Sequence, residues 1–211
     1  MNSLLDIQHI LYINLDSRTD RREQIESELV KMNWTEKAER FSAISMPNLG
    51  AIGCSMSHLN CLKLAKKNDW THVLILEDDV VFTDPEVLNA QTTLFFKTIN
   101  EWDVLLFSGN CHQPYQEINA SCVKVSRCLT TAAYLVKSDY YDILIQNITQ
   151  GIHRLIETKM RYMFAIDVYW MKLQERDRWY LIVPITTTQR SNYSDIENAY
   201  TDFSQHLMEL H

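Results

Sequence analysis

The sequence of 211 residues predicts an α/β fold: a three-layer α/β/α sandwich around a largely parallel sheet. Three observations predict it. Short, continuous apolar runs recur along the chain, each of strand length. Amphipathic stretches of helical period lie between them. Two of the runs end in clusters of polar and acidic residues, and open α/β sheets bind ligands at the carboxyl ends of their strands. The composition agrees: 46% hydrophobic, 22% charged, with four Gly and four Pro. That excludes a disordered chain, a collagen-like repeat and a flexible linker, and the length suits one domain over residues 1–211.

The elements follow in order. His9–Leu15 (HILYINL) reads as a buried strand. Ile25, Leu29 and Met32 then recur at i, i+4, i+7, one helical face after a start near Asp16-Ser17. Phe41–Gly53 is interrupted by Pro47, Gly50 and Gly53 and reads as loop. Ser57–Asn68 returns to helix, with Leu59, Leu62 and Ala65 opposite Lys63, Lys66 and Lys67. Val73–Leu76 (VLIL) is the most apolar strand and stops at Glu77-Asp78-Asp79. Trp102–Phe107, Ala132–Val136 and Trp179–Val183 are further strands, with helical stretches near 139–148, 152–163 and 167–176.

Charge narrows the partners. Twenty basic against 27 acidic residues leave a net charge of −7, which disfavours nucleic acid or anionic lipid as a partner of the overall field. The five Cys have no metal-type spacing and read as free thiols of a reducing compartment. The N-terminus lacks the basic region of a signal peptide, and no run approaches the ~20 apolar residues of a membrane span. The expectation is a soluble cytoplasmic domain, although Asn33, Asn119, Asn147 and Asn192 each begin a sequon.

Three motifs carry chemistry. Glu77-Asp78-Asp79 gathers carboxylates that repel one another, an arrangement a hard divalent cation such as Mn²⁺ or Mg²⁺ stabilises. The same residues also read as a solvated acidic turn. Gly50-Ala51-Ile52-Gly53-Cys54-Ser55-Met56-Ser57-His58 reads as a glycine loop, with Ser57 capping a helix whose amides favour an anion and His58 beside it. An ordinary capped loop with a packed histidine fits equally, and Cys54 and His58, with no nearby carboxylate, do not make a nucleophile pair. Arg18, Arg21 and Arg22 offer guanidinium groups for a pyrophosphate, or simply pair with Asp16, Asp20 or Glu26. Together the three describe a nucleoside diphosphate pocket.

In that order the motifs resemble glycosyltransferase family 25, which includes bacterial lipooligosaccharide galactosyltransferases, collagen galactosyltransferases and relatives in large DNA viruses. Tyr12 through Arg22 resembles the family's opening INL…R-x-D-R-R, and Gly50–His58 its G-x-x-G-C-x-x-S-H element. Ile75-Leu76-Glu77-Asp78-Asp79 resembles its ILEDD, and Thr131–Val136 its T-x-A-Y strand. Ile166-Asp167 resembles its later ID pair, and Gln189 through Ser194-Asp195-Ile196 its Q…SDI ending. The similarity spans residues 9–196.

The resemblance implies a Rossmann-like GT-A fold, a UDP-sugar donor, a divalent metal (Mn²⁺, else Mg²⁺) and transfer with inversion. By the same resemblance Asp79 ligates the metal with Glu77, while Glu77 and Asp78 hold the ribose or an ordered metal ligand. Asn14, Leu15, Arg18 and Arg22 line the nucleotide pocket, Ser57 and His58 contact the donor, and Gln189 joins the binding residues. Inversion needs a base for the acceptor hydroxyl. Asp167, which opens the helical stretch DVYWMKLQER, is the first choice, though an N-cap fits the same position. Asp195 is the second choice, or a wall of the diphosphate pocket.

One position departs from the family: an acid usually follows the first Gly of the glycine element, and here Ala51 stands there. The expected activity is hexosyl transfer, from UDP-galactose or else UDP-glucose, to a hydroxyl of a glycan or protein. The alternative is a silent GT-A domain used for binding. A nucleotidyltransferase or sugar-phosphate hydrolase would need a glycine-rich phosphate loop near the first strand, and HILYINLDSRTDRR contains no Gly.

Overall fold

The computed structural model describes residues 1–194, 199–202 and 207–211. In chain order the elements are β1 (Ile10–Asn14), α1 (Thr19–Lys31), β2 (Ala38–Ser42), α2 (Gly50–Lys67), β3 (His72–Glu77), β4 (Val80–Phe82) and α3 (Pro85–Thr98). The short strands β5 (Val104–Leu106), β6 (Asn110–Cys111), β7 (Gln116–Asn119), β8 (Cys122–Lys124) and β9 (Cys128–Leu129) follow, then β10 (Ala133–Lys137). The helices α4 (Tyr141–Thr158), α5 (Arg161–Phe164), α6 (Ile166–Tyr169) and α7 (Met171–Arg176) precede β11 (Trp179–Ile182), β12 (Thr187–Gln189), β13 (Asn192–Ser194) and β14 (Ala199–Thr201).

Eight strands form the central sheet in the order β2-β1-β3-β10-β5-β11-β8-β7. β1 pairs in parallel with both β2 and β3, and β11 with β5. β10 and β8 run against the other six. The direction of β10 follows from its connection. The chain enters it through a short segment at the carboxyl edge of β3, without the crossover a parallel strand requires.

Alternation along the strands builds two cores. In β3, Val73 and Ile75 join Leu59, Leu62, Leu144 and Ile148 on the face covered by α2 and α4. Leu74 and Leu76 join Ile25, Leu29, Leu88 and Phe95 on the face covered by α1 and α3. All four β3 side chains are fully buried, which is why this strand reads as a continuous apolar run rather than an alternating one. The three layers are those the sequence predicts.

Several local expectations change. α2 begins at Gly50, so the glycine element is helical rather than a loop. Gly53 serves close packing: a Cβ there would lie 2.4 Å from the Ile44 carbonyl oxygen. α4 runs unbroken through Gly151, where a Cβ would meet the Tyr169 ring at 2.9 Å, so α4 and α6 pack closely at that point. The helix α3, which no expectation placed here, is capped by Asp84, whose carboxylate accepts from Val87 N at 3.0 Å, with Pro85 in the first turn. No helix among the described residues is long and apolar enough to cross a membrane.

Candidate active site

The carboxyl ends of β1 and β3 lie side by side because the two strands pair in parallel register, Ile13 opposite Glu77. The start of α2, the segment entering β10, and the β4–β12 ladder close around them. Between these elements lies a cavity of about 780 Å³. Its volume is within the ~300–1,000 Å³ range of small-molecule and cofactor sites.

The three carboxylates stand at one end of this cavity, each with its own partners. Asp78 accepts from Asn14 Nδ2 at 2.8 Å and pairs with Arg21 at 3.1 Å. Asp79 pairs with the other arm of Arg21 and accepts from Gln189 Nε2 at 3.1 Å. Gln189 also donates to Glu77 Oε2 at 3.2 Å, and the Thr131 hydroxyl donates to Glu77 Oε1. His58 Nε2 lies 3.3 Å from that same oxygen, and its Nδ1 lies 2.9 Å from the Tyr134 hydroxyl. An ionised carboxylate only accepts, so Nε2 carries a proton toward Glu77.

The electrostatics separate the three acids. Burial raises Glu77, but the hydrogen bond and electrostatic pull of His58, with the Thr131 hydroxyl and Arg21, outweigh it and hold the carboxyl below its usual range. Burial raises Asp78 despite Arg21 and Asn14. Asp79 is pushed up to about 7 by burial, against the pull of Arg21 and with further repulsion from Glu77 and Asp78. Asp79 therefore holds a proton near neutrality, beside two further carboxylates that share the single cation Arg21 and the neutral donors Asn14, Thr131 and Gln189. A hard cation fits there: it stabilises the ionised form of Asp79 among oxygen ligands. The Arg21 Nε is buried with no hydrogen-bond partner among the described residues, an orphan donor beside the carboxylates.

The remaining expected residues distribute as follows. Leu15, Ser57, His58, Ala51 and Asp167 line the cavity with Glu77, Asp78, Asp79 and Gln189. Asn14 is buried and reaches the site only through Asp78, with Arg40 Nε donating to its Oδ1 at 3.0 Å. Ser57 sits in the interior of α2, donating to Gly53 O and accepting from Ile44 N, and so does not cap the helix. Arg18 pairs with Asp20 and donates to Tyr193 O at 3.2 Å, outside the cavity lining.

Arg22 is a correction. It pairs with Glu26 on the outer face of α1, and the residue that reaches the carboxylates is Arg21. The signal was in the helical phase: Arg21 lies one turn before Ile25 and two before Leu29, on the inward face, while Arg22 lies about 100° around. A second correction concerns Cys54 and His58, which do have a carboxylate beside them. One ligand atom each from Cys54, His58 and Glu77 falls within 4.8 Å of the others. The carboxylate comes from β3, so no spacing along the chain reveals it.

Asp167 lies in α6 and accepts from Thr130 N at 3.2 Å. Burial raises its carboxyl, opposed by that amide. Asp195 lies outside the described residues. Sequence reasoning left Arg40 and Tyr134 out of the site, and both act through a neighbour, Asn14 and His58 respectively.

Comparison with known proteins decides the family. Residues 47–161 match the family described as glycosyltransferase family 25 (LPS biosynthesis protein), a span that includes the glycine element and all three carboxylates. The chain belongs to glycosyltransferase family 25. This family 25 chain is accordingly a glycosyltransferase. Its fold is similar to that of a glycosyltransferase involved in glycosylation of the major capsid of the virus PBCV-1, with 13% identity, a TM-score of 0.52, and coverage of 90% of this chain and 95% of that one. Weaker likeness extends to an apo UDP-glucose pyrophosphorylase (12% identity, TM-score 0.45, coverage 82% and 72%). A Drosophila β-1,4-galactosyltransferase 7 in complex with manganese, UDP-Gal and xylobiose is more distant (8% identity, TM-score 0.38, coverage 65% and 52%). No curated protein matches the sequence significantly.

Proposed function

We propose that this glycosyltransferase moves a hexose from a UDP-sugar, UDP-galactose or else UDP-glucose, to a hydroxyl of a glycan or protein, with inversion and with Mn²⁺ or Mg²⁺ held by Asp79 and Glu77. The observation that carries the reading is the cluster of Asp78, Asp79 and Glu77 around Arg21 and Gln189 in a cavity of nucleotide-sugar size.

A divalent cation bound there supplies positive charge against the departing diphosphate. Arg21, already turned toward Asp78 and Asp79, is the guanidinium for the phosphates, a role bidentate geometry suits. Arg21 takes the place that the sequence resemblance gave to Arg22, and Arg18 borders the site through Tyr193. Asn14 holds Asp78 for the ribose, Leu15 lines the nucleotide end, and Ser57 and His58 face the donor from α2. Gln189 keeps Glu77 and Asp79 in one orientation.

Asp167 is the base. It lies on the cavity wall, and its raised carboxyl accepts the acceptor's proton better than an exposed aspartate would. Inversion follows if the hydroxyl it deprotonates attacks opposite the diphosphate. Asp195 is the alternative base. The test is release of UDP from UDP-galactose and UDP-glucose with Mn²⁺ and with excess chelator. The reading expects turnover with metal alone; equal turnover in chelator contradicts it.

A further inference from the structure

Outside the site, two of the five cysteines face each other. Cys111 in β6 and Cys128 in β9 are directly paired across an antiparallel ladder, and both are fully buried. His112 N donates to Arg127 O at 2.9 Å, the bond that flanks a non-hydrogen-bonded pair. Consistently, the backbone N and O of Cys128 turn away from β6, both bonded to the Gln174 side chain at 2.8 Å. In such a pair the Cα atoms lie about 4.5 Å apart with side chains on one face, inside the range of about 4.4–6.8 Å that a disulfide spans. The Cys128 sulfur already projects over β6: it lies 2.1 Å from where a Cβ on Gly109 would be, so a side chain at that position would have to displace it.

From this register we infer that Cys111 and Cys128 are a modification site, joined as a disulfide when a disulfide oxidant such as oxidised glutathione is present. The Cys128 thiol donates to Cys111 and draws the Cys111 thiol down, while burial pushes Cys128 up. Both sulfurs are fully buried, so exchange takes place when the short β6–β9 ladder opens to the oxidant, with Cys111 attacking as the thiolate. Its sulfur bonds to one glutathione sulfur and the other glutathione leaves as thiolate. Cys128, on losing its proton, then attacks the mixed disulfide and expels the second glutathione. Two protein thiols and one oxidised glutathione give one protein disulfide and two reduced glutathiones.

The link would fasten two parts of the molecule. Cys111 O accepts from His211 N at 2.9 Å, so β6 carries the C-terminal residues. Cys128 lies shortly before Thr130 and Thr131, which bond Asp167 and Glu77. Cys54, Cys61 and Cys122 have no such cross-strand partner cysteine among the described strand pairs.

The test is peptide mapping of the unreduced full chain after equilibration with oxidised glutathione, followed by alkylation in denaturant. The expected result is loss of two of the five thiols and a single linked peptide pair containing residues 111 and 128, reversed by dithiothreitol. Cys128→Ser should keep Cys111 alkylatable or carrying one glutathione, with no linked pair. Should that variant fail to fold, the map of the unaltered chain still decides. Five free thiols, only mixed glutathione adducts, or a link through Cys54, Cys61 or Cys122 would each overturn the assignment. The outcome is independent of the proposed transfer reaction, since it is read without donor or metal.

Discussion

Gln189 Nε2 donates to Asp79 Oδ1 at 3.1 Å, and next to it Arg190 N donates to the Asp79 carbonyl at 2.7 Å, so the end of β12 and the residue after it hold both ends of this aspartate. The restraint fixes a carboxylate where burial and two neighbouring acids oppose its charge. The fold therefore bears an electrostatic cost at Asp79 that a cation would remove.

The pH dependence follows in sign. Asp79 keeps its proton to about pH 7 in the folded chain, against an ordinary value of 3.8. Between these limits the folded state binds more protons than the unfolded one, so stability from this group is fully present below about pH 4 and is lost as pH rises toward 7. Asp79→Asn removes the effect. Urea midpoints of the variant should overtake those of the unaltered chain as pH rises from 4 to 8; a constant difference would show that Asp79 is not the titrating group.

Metal binding must expel that proton. Affinity for Mn²⁺ with UDP should rise by about tenfold per pH unit below 7 and level off above it. Calorimetry at pH 6, 7 and 8 in buffers of different ionisation enthalpy measures both the affinity and the proton released. Asp79→Asn should show neither.

Arg21 and Arg22 should part company. Arg21→Gln leaves two buried carboxylates without their cation, at a cost of about 3 kcal/mol, and removes the guanidinium proposed for the phosphates. Arg22→Gln removes only a half-exposed pair with Glu26 and should leave stability nearly unchanged. Donor titrations and denaturation of the two variants make the comparison. Similar losses in both would return Arg22 to the site.

Asp167→Asn should leave donor affinity within about twofold while turnover falls by about 10²–10⁴. An equal fall in donor affinity would move Asp167 out of the base role and leave that role to Asp195.

Gly53→Ala tests the crossing of α2 over the segment before it. Its methyl would meet the Ile44 carbonyl at 2.4 Å, so either the helix or residues 44–46 must shift, at about 1–3 kcal/mol. Because Ile44 and Met46 line the cavity, donor affinity should fall with stability. Unchanged thermal unfolding would refute the close packing.

What the sequence disclosed depended on whether a signal was local. Val73–Leu76 is legible because a strand buried on both faces has no polar residue to interrupt it. Glu77-Asp78-Asp79 is legible because its acids are consecutive. β2 escaped notice because its residues, AERFS, are half-exposed at the sheet edge and form no apolar run. α3 escaped although Asp84-Pro85 is a helix-start signal, because the same pair also ends a strand. Glu77 beside His58 is a product of α2 packing across the end of β3, and Cys111 opposite Cys128 of strand register; neither had a trace in spacing.

The most direct test of the central claim is thermal unfolding with UDP, UDP-galactose, UDP-glucose and UDP-N-acetylglucosamine, each with and without Mn²⁺. A ligand at 100 times its dissociation constant stabilises by about 2.7 kcal/mol, which for a domain of this size is a shift of roughly 5–11 °C. The account predicts such a shift for UDP-galactose or UDP-glucose only when Mn²⁺ is present, and its loss in Asp79→Asn. No shift with any of the four, or the same shift in chelator, would contradict it.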